Sequence, residues 1–527
     1  MQKAVGGADP KSASSDRRAL LTWLALAAIV LIALALRVSY LREIVENPDF
    51  SLPQIDAGYF DYWARGLATG DWTLPENLAD FADPQIRTNP FFRPPAYPYF
   101  LAIVYRLSDG SYLAVRIVQM ALGLVNCLLA YLLGRRVFGK AVGLLFALLM
   151  SFYWVFIFFE GELLATVLLV TLGLSLMNVL TLWTDRFTFA RGLAAGIILG
   201  LFVLTRANAL LFGPVVVVWS WWVARRRKDS RRLAPIWLGF VLGGIVVISP
   251  VTIRNCLVGR DLVLVSTNAG ISMYTGNHEN ATGRYAVIPN LRELGLRPEW
   301  TCFDYSRMVR GVEKLTGRPM KHSEVSSYFI GKSLDFMRTH RARTLKLMAI
   351  KAALFWGPEE VPNNKSMTFE KANSVTLRYM PGFPLPVSLA VLGLLQLFLN
   401  RRKKPPHDVP VPAPPDRQIE ASVLIALFIL IYFLSYLPFF IAGRYRVPVI
   451  PFLLLFGAYG LYRTARMFAS GDYLPAALHL AALAGLYLLA SIHIVPYDSD
   501  EAQWRLLRAT CYRLADKNDL AAEECRR

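Results

Sequence analysis

The chain has 527 residues, of which 55% are hydrophobic and 18% are charged, and its formal net charge is +19. This composition excludes an ordinary soluble protein, because apolar segments near the roughly 20 residues that a spanning helix needs recur along almost the whole chain. The positive charge does not indicate nucleic-acid binding, since its main runs, at 135–136, 225–232 and 401–404, directly follow apolar segments. Basic runs in that position mark the cytoplasmic side of membrane helices. The sequence therefore predicts an all-α, polytopic membrane protein.

About eleven apolar segments qualify as predicted spans. They are 20–41, 112–134, 141–159, 162–183, 192–207, 208–224, 233–251, 382–399, 420–441, 447–465 and 473–495. The first lacks a small-residue cleavage site, so we expect a retained helix rather than a signal peptide. If Arg17 and Arg18 lie inside and the spans alternate, every strong basic run lies in the cytoplasm.

The predicted spans divide the chain into five regions. These are a cytoplasmic N-terminus (1–19), an N-terminal transmembrane module (20–251) with an outer loop (42–111), an outer region (252–381), C-terminal transmembrane helices (382–495) with a proline-rich cytoplasmic linker (401–419), and an outer tail (496–527). The outer side is expected to be a periplasm or a lumen. The tail is predicted to form an amphipathic element that docks or caps, and no chemistry is assigned to it.

The first outer loop begins with the stretch "QIDAGYFDYWARGLATGDW" at 54–72. Its apolar residues Phe60, Trp63, Ala64 and Leu67 follow the spacing of one helical face, and its many aromatic rings suit a helix lying in the headgroup region. Asp56, just ahead of this helix, has two interpretations. It is either a helix N-cap, where Asp is preferred, or a general base near a lipid-borne substrate.

The same loop continues with "TNPFFRPPAYPYFLAIVYRL" at 88–107. Its prolines rigidify the approach to a second short helix, which is predicted over 97–107. Arg93 would thereby lie at the same surface as Asp56. Its guanidinium either extends to the lipid headgroups or neutralises a departing phosphate while Asp56 activates an acceptor hydroxyl.

Several stretches together resemble a known family. "DAGYFDYWARGLATGDW", "RPPAYPYFLA" and "AVRIVQMALG" resemble the first outer loop and second helix of the GT-C membrane glycosyltransferases. The branch is the bacterial glycosyltransferase 39 type, which is related to protein O-mannosyltransferases and lipid A aminoarabinose transferases. The stretches 250–283, "LTRANALL" at 204–211 and "GRYRVPVIPF" at 443–452 agree with it. The resemblance covers residues 20 to 465.

The resemblance implies a GT-C-like fold and an inverting transfer at the outer face of a bacterial inner membrane. The donor would be a polyprenyl-phosphate sugar within the membrane lipid, and the acceptor a hydroxyl of an envelope glycan, lipid or protein. Asp56 matches the family's catalytic base. Where many relatives carry a second acid, this chain has Ala57 and Gly58. No cofactor is therefore certain, and a divalent metal stays possible.

Further polar residues are candidates for binding the substrates. Arginines at predicted outer ends of spans would hold the donor phosphate, because an arginine at membrane depth is costly, although each also suits an interfacial anchor. With a neighbouring tyrosine they are Arg93, Arg206, Arg444, Tyr445 and Arg446. Possible sugar or acceptor contacts lie in a predicted outer turn and in a loop rich in Asn, Gly, Ser and Thr. They are Glu160, Glu162, Asn255 and Asn268.

Two alternatives stay open. A transporter or lipid-sugar flippase without transferase activity would need charged residues deep in several spans or two related halves, whereas polarity here is concentrated in outer loops. The second alternative is an inactive structural relative of these enzymes that acts in envelope assembly. An ATP-driven pump is disfavoured, because the sequence has no G-x-x-x-x-G-K-[ST] loop. The pairs Cys256 and Cys302, and Cys511 and Cys525, each share an outer region and would form disulfides only if that side is oxidising.

Overall fold

The computed structural model describes residues 10–75, 84–228, 233–289, 291–296, 301–400, 415–496 and 501–526, and within these ranges the chain has helices, turns and loops but no strand. The predicted all-α class is confirmed. The helices are α1 Pro10–Ile44, α2 Ile55–Thr69, α3 Ala96–Leu107, α4 Tyr112–Val137, α5 Lys140–Phe152, α6 Trp154–Gly161, α7 Thr166–Trp183, α8 Phe189–Thr205, α9 Phe212–Arg226, α10 Leu233–Gly259, α11 Ala269–Thr275, α12 Tyr305–Thr316, α13 His322–Thr339, α14 Arg341–Trp356, α15 Met367–Asn373, α16 Pro384–Asn400, α17 Pro415–Leu434, α18 Ile450–Ala469, α19 Tyr473–Ala490, α20 Glu501–Leu514 and α21 Asn518–Arg526. Short 3-10 helices cover Ala207–Leu211, Cys302–Asp304, Gly443–Tyr445 and Val447–Val449.

Every predicted span coincides with a helical segment, but the count of eleven is not confirmed. Among the described residues, eight helices are long and apolar enough to cross a membrane, or nine if α5 and α6, which meet at 52°, form one span. Helices α8 and α16 are apolar but shorter. The 17 residues of α8 reach only about 25 Å, less than the hydrocarbon thickness of about 30 Å. The basic run at 229–232 and the linker at 401–414 lie outside the described residues.

Glycines allow the closest helix pair, α8 and α10, to pack backbone against backbone. A Cβ at Gly192 or Gly196 of α8 would overlap a carbonyl group of α10, and a Cβ at Gly239 or Gly243 would overlap one of α8. Small residues four apart permit such close approach between membrane helices, where packing rather than water exclusion drives association. The packing of this pair fixes the position of the C-terminal end of α10, where the outer region begins.

Helices α1 and α19 lie at the periphery of the bundle. Only 17% of the most apolar window of α1 and 6% of that of α19 are buried by protein, whereas 83% of the window containing α18 is buried. The main hydrophobic core joins α4 to α10 with α16, α17 and α18, and α1 contributes only a few of its residues. Side chains such as Leu31 and Leu488 therefore face lipid, which solvates them as well as a protein core does.

The three segments predicted to share the outer side meet at one end of this bundle. The first contributes α2 and α3, the second α11 to α15, and the third α20 and α21. A hydrophobic cluster joins Tyr59 and Trp63 of α2 to Phe303 and Met308 of the second segment. The loops between these elements enclose the candidate site.

Candidate active site

Asp56 lies in the first turn of α2 and is not its cap. The helix begins at Ile55, and Gln54, at the N-cap position, makes no side-chain cap bond. Ile55 has φ of 56°, a left-handed conformation that a β-branched residue rarely adopts. Gly58 lies so near the carbonyl of Pro53 that a Cβ would be 2.7 Å from its oxygen. The helix start is thus tightly fixed, and the Asp56 carboxylate contacts side chains from other segments.

Two arginines that are distant in sequence hold this carboxylate. Arg93 Nη2 donates to Asp56 Oδ1 at 3.0 Å, and Arg444 Nη2 donates to Asp56 Oδ2 at 2.7 Å. The side chain of Asp56 is 7% exposed and that of Arg444 is 11% exposed, so the group is largely withdrawn from water. The structure therefore brings together three residues that the sequence predicted separately.

Neighbouring packing positions each arginine. Phe92, beside Arg93, stacks on Tyr305 with ring centroids 4.0 Å apart. The backbone N–H of Phe91 donates to Asn255 Oδ1 at 3.1 Å. Arg444 belongs to the short 3-10 helix Gly443–Tyr445, in which the backbone N–H of Gly443 donates to the carbonyl of Val361 at 2.8 Å. Both guanidinium groups are therefore fixed by elements that do not themselves touch Asp56.

The thiol of Cys302 completes the group. Its Sγ donates to Asp56 Oδ1 at 3.3 Å and accepts a hydrogen bond from Arg93 Nε at 3.2 Å. All five cysteines are free thiols in this structure, so neither pair considered from the sequence is bridged. Cys302 was not predicted as a site residue, because nothing in its local sequence indicates that it lies beside Asp56.

The charges determine the protonation states. Burial alone would raise the pKa of Asp56, but the guanidinium groups of Arg93 and Arg444 outweigh it and hold that pKa well below its ordinary value. Burial would lower the pKa of Arg93, whereas Asp56 and Cys302 raise it above the ordinary value. Burial raises the pKa of the Cys302 thiol to about 12. At neutral pH the site holds a carboxylate, guanidinium cations and a protonated thiol.

A cavity of about 820 Å³ opens beside this group. One side, here called the N-terminal wall, consists of Gln54, Ile55, Asp56, Phe92 and Arg93. A second set of lining residues, here called the C-terminal wall, consists of residues 361–366 together with Gln503, Trp504, Leu506, Leu507 and Thr510 of α20. Arg444 and the segment 301–303 also line the cavity. The cavity is large enough for a sugar phosphate and part of an acceptor.

The tail, to which the sequence assigned no chemistry, therefore lines the cavity. The Trp504 Nε1 donates to Glu370 Oε1 at 2.9 Å, and its ring stacks on Phe369 with centroids 5.7 Å apart. The predicted docking role is consistent with these contacts. The sequence did not predict that α20 lines a cavity, because an amphipathic pattern shows which face of a helix is apolar but not which part of the protein that face contacts.

Arg206 and Tyr445 lie next to the Asp56 group. Arg206 Nε donates to the hydroxyl of Tyr436 at 2.9 Å, and its guanidinium lies 4.6 Å from the ring centroid of Tyr445. The guanidinium of Arg444 lies 5.5 Å from the same ring. Within the described part of the chain, Arg206 has no carboxylate partner, so its charge is available to an anion.

Arg446 occupies a different environment. Its side chain is 1% exposed, pairs with Glu360 at 2.9 Å and donates to the carbonyls of Gly357 and Glu359 at 2.6 and 2.8 Å. These contacts hold the segment that leads into residues 361–366. Arg444 therefore lines the cavity, whereas Arg446 does not line it and is paired with Glu360.

The two predicted glutamates do not lie in an open turn. Glu160 lies in the last turn of α6, and Glu162 is the residue that follows this helix. Glu160 belongs to α6 and pairs with Arg37 at 2.7 Å. Glu162 Oε1 accepts from Lys365 Nζ at 2.7 Å, and Lys365 also pairs with Asp49. Lys365 lines the main cavity, so Glu162 lies behind it.

The two predicted asparagines do not line the main cavity. Asn255 is fully buried, where its Nδ2 donates to the carbonyls of Val263 and Val265 at 3.0 and 3.2 Å. Asn268 accepts a hydrogen bond from Ser266 at 3.1 Å. Asn255 thus joins the end of α10 to the following loop and to Phe91, and the side-chain contact of Asn268 is within its own loop.

The residues around Asp56 do not fit a divalent metal. Across the ranges that the structure describes, no three His, Cys, Asp or Glu side chains lie close enough to hold an ion. Both oxygens of Asp56 already accept from cations or from the thiol of Cys302. A hard cation would need further oxygen ligands, which this group of side chains lacks.

Comparison with known proteins agrees with the family resemblance for part of the chain. Residues 92–253 match the family model of dolichyl-phosphate-mannose-protein mannosyltransferases. No curated protein sequence matches the chain.

The fold is similar to solved structures of two other proteins. One is the oligosaccharyltransferase AglB from Archaeoglobus fulgidus, in complex with an inhibitory peptide and a dolichol-phosphate, with a TM-score of 0.46 and 13% identity over 96% of this chain and 56% of that chain. The other is ArnT from Cupriavidus metallidurans bound to undecaprenyl phosphate, with a TM-score of 0.46 and 15% identity over 95% of this chain and 74% of that chain. The chain thus spans little more than half the length of the archaeal protein. At these TM-scores the likenesses carry no part of the functional argument.

Proposed function

We propose that this protein is an integral-membrane inverting glycosyltransferase. It moves a sugar from a polyprenyl-phosphate donor to the hydroxyl of an envelope glycan, lipid or protein, at the outer face of a bacterial inner membrane. The observation that carries the proposal is the buried Asp56 carboxylate between Arg93 and Arg444 on the wall of a cavity of about 820 Å³. The family match supports it over residues 92–253, which include Arg93 and Arg206 but neither Asp56 nor Arg444.

The arginines are suited to binding the donor phosphate. A guanidinium has five N–H donors, and Arg444 Nε is buried without a protein partner among the described residues. Arg206, stacked on Tyr445, adds a nearby cation without a carboxylate partner. The departing polyprenyl phosphate is a much weaker base than an alkoxide, so its departure needs positive charge rather than a proton donor.

Asp56 is then the base of a single displacement. It takes the proton of the acceptor hydroxyl, whose oxygen bonds to the anomeric carbon while the bond from that carbon to the phosphate oxygen breaks. The phosphate leaves with the electron pair and the anomeric configuration inverts. In the structure the arginines hold the pKa of Asp56 low, which makes it a weak base. A bound phosphate shares their charge and raises its basicity when the substrate is present.

The proposal is tested by the transfer of label from radioactive polyprenyl-phosphate sugars into envelope fractions. Membranes carrying the wild type, Asp56→Asn and Asp71→Asn are compared at equal protein abundance. Asp71 lies on the same loop but is exposed, and its carboxylate accepts from the backbone N–H of the nearby Thr73. We expect the wild type and Asp71→Asn to incorporate label and Asp56→Asn to lose incorporation. Equal incorporation by all three would remove Asp56 from the mechanism, and movement of the donor across the membrane without transfer would support a flippase instead.

A further inference from the structure

Two successive asparagines in the C-terminal wall carry buried polar atoms without partners. These atoms are Oδ1 of Asn363 and both Oδ1 and Nδ2 of Asn364, and no described protein group satisfies them. Buried side-chain amides are normally hydrogen-bonded, so three such atoms on adjacent residues call for a ligand or for ordered water. The main cavity is lined by both residues.

Smaller cavities place these amides close to the Asp56 group. One, of about 20 Å³, is lined by Asn363, Asn364 and Arg444 together. Another, also of about 20 Å³, is lined by Asn364 and by Gln54, which lies two residues before Asp56. Each has room for about one water molecule, so a larger ligand must approach from the main cavity. A group bonded to a phosphate at Arg444 would therefore lie next to Asn363 and Asn364.

The cation that directly follows these amides in the chain is already paired. Lys365, the next residue, pairs with Asp49 and Glu162. Asp56 is the one carboxylate among the described residues that line the main cavity, and it is held by two arginines. A ligand with an ionised amine would find no unpaired carboxylate there, whereas a neutral hydroxyl matches a carboxamide, because each both donates and accepts.

We infer that Asn363 and Asn364 form the subsite for the sugar of the donor, and that this sugar is neutral and rich in hydroxyl groups. The inference rests on the proposed function for its donor phosphate. The two carboxamides bond the sugar hydroxyls while Arg444 holds the adjoining phosphate. The subsite thereby selects the transferred unit, whereas the N-terminal wall carries out the transfer.

The test measures binding to the purified full-length protein in lipid nanodiscs. The probes are a short polyprenyl phosphate, the same lipid carrying a neutral hexose, an amino-hexose or a hexuronic acid, and monodeoxy analogues of the hexose. The variants are Asn363→Ala and Asn364→Ala, with Asn373→Ala as a matched control. Asn373 is exposed on α15 and lines none of these cavities.

We expect each subsite variant to weaken binding of the hexosyl lipid about tenfold while changing that of the bare lipid less than about twofold. At least one monodeoxy analogue should bind the wild type more weakly than the complete hexosyl lipid does. Asn364→Ala should bind that analogue and the complete hexosyl lipid equally, since the variant has already lost the hydrogen bond to the missing hydroxyl. The thermal midpoint of Asn364→Ala should not fall, because the replaced amide atoms have no protein partner.

Other results would overturn the inference. Equal weakening of bare and hexosyl lipid would show that the asparagines only support the phosphate site, and no weakening would show that water satisfies them. Tighter binding of the amino-hexose or hexuronic acid than of the hexose would contradict a neutral sugar. If removing a hydroxyl weakened binding only when the hydroxyl belonged to an acceptor sugar, the subsite would be assigned to the acceptor. Transfer by the wild type is measured separately, so binding without any transfer would refute the proposed function and leave the subsite standing.

Discussion

The two walls of the cavity are built in opposite ways. In the N-terminal wall the charged groups of Asp56 and Arg93 are paired with each other, and Cys302 and Arg444, beside this wall, also contact Asp56. In the C-terminal wall, Oδ1 of Asn363 and both amide atoms of Asn364 are buried without a partner among the described residues. Paired charges fix a geometry in advance of reaction, whereas unpaired amides await a partner. The difference assigns chemistry to the first wall and recognition to the second.

The largest expected effect concerns what holds the C-terminal wall in place. Arg446→Gln should lower the free energy of unfolding by about 3–5 kcal/mol, because it leaves the buried Glu360 without its partner and removes hydrogen bonds to the segment before residue 361. Denaturation in mild detergent, followed by intrinsic fluorescence, measures this change. Arg106→Gln, at an exposed position on α3, is the control. A fully stable Arg446→Gln protein would show that the wall does not depend on this pair.

A smaller effect is expected at the cavity face of the tail. Trp504→Ala should lower the kcat/KM of transfer about tenfold, because it opens the C-terminal wall and removes the stacking on Phe369. The rate constant is compared with that of Leu520→Ala, a control on the exposed surface of α21. If both variants retain the wild-type kcat/KM, the tail covers the cavity without affecting catalysis. The recognition role of the C-terminal wall would then belong to residues 361–366 alone.

The smallest effect concerns the thiol of Cys302, beside the N-terminal wall. Burial raises the pKa of Cys302 to about 12, so the thiol should stay protonated between pH 6 and pH 9 and form thiolate only as the pH rises towards that value. Thiolate is the form that iodoacetamide alkylates, so Cys302 should be labelled at least about tenfold more slowly than the exposed Cys525 at pH 8. Peptide mass spectrometry of a time course measures both rates. Labelling of Cys302 as fast as that of Cys525 would mean that the thiol is neither buried nor held by Asp56.

Sequence and structure agree best where one local signal was sufficient. The helical spacing in 54–72 located α2 within a few residues, and the prolines before residue 97 predicted the start of α3. Apolar runs located each spanning segment, although α8 and α16 are too short to settle the count. The approach of Arg444 to Asp56, 388 residues apart, was suggested only by the family resemblance and by their shared side of the membrane.

The parts that the sequence did not predict depend on long-range packing. Cys302 and Trp504 reach the cavity because the second and third outer segments fold over the first, and no local pattern encodes that contact. Asn363 and Asn364 stand in a proline- and asparagine-containing stretch typical of any loop. Their significance lies in atoms left without partners, which is a property of the folded structure alone. Glu160 shows the converse, since an apparently exposed acid is paired with Arg37 inside the bundle.

The most direct test separates donor binding from chemistry at the N-terminal wall. The dissociation constant of the polyprenyl-phosphate sugar and the single-turnover rate of transfer are measured for the wild type, Asp56→Asn and Arg444→Gln. We predict that Asp56→Asn binds the donor at least as tightly as the wild type, since both arginines are released to the phosphate, and that its transfer rate falls about 10²–10⁴-fold. Arg444→Gln should raise the dissociation constant. The account would be contradicted if Asp56→Asn lost donor affinity but transferred the bound sugar at the wild-type rate.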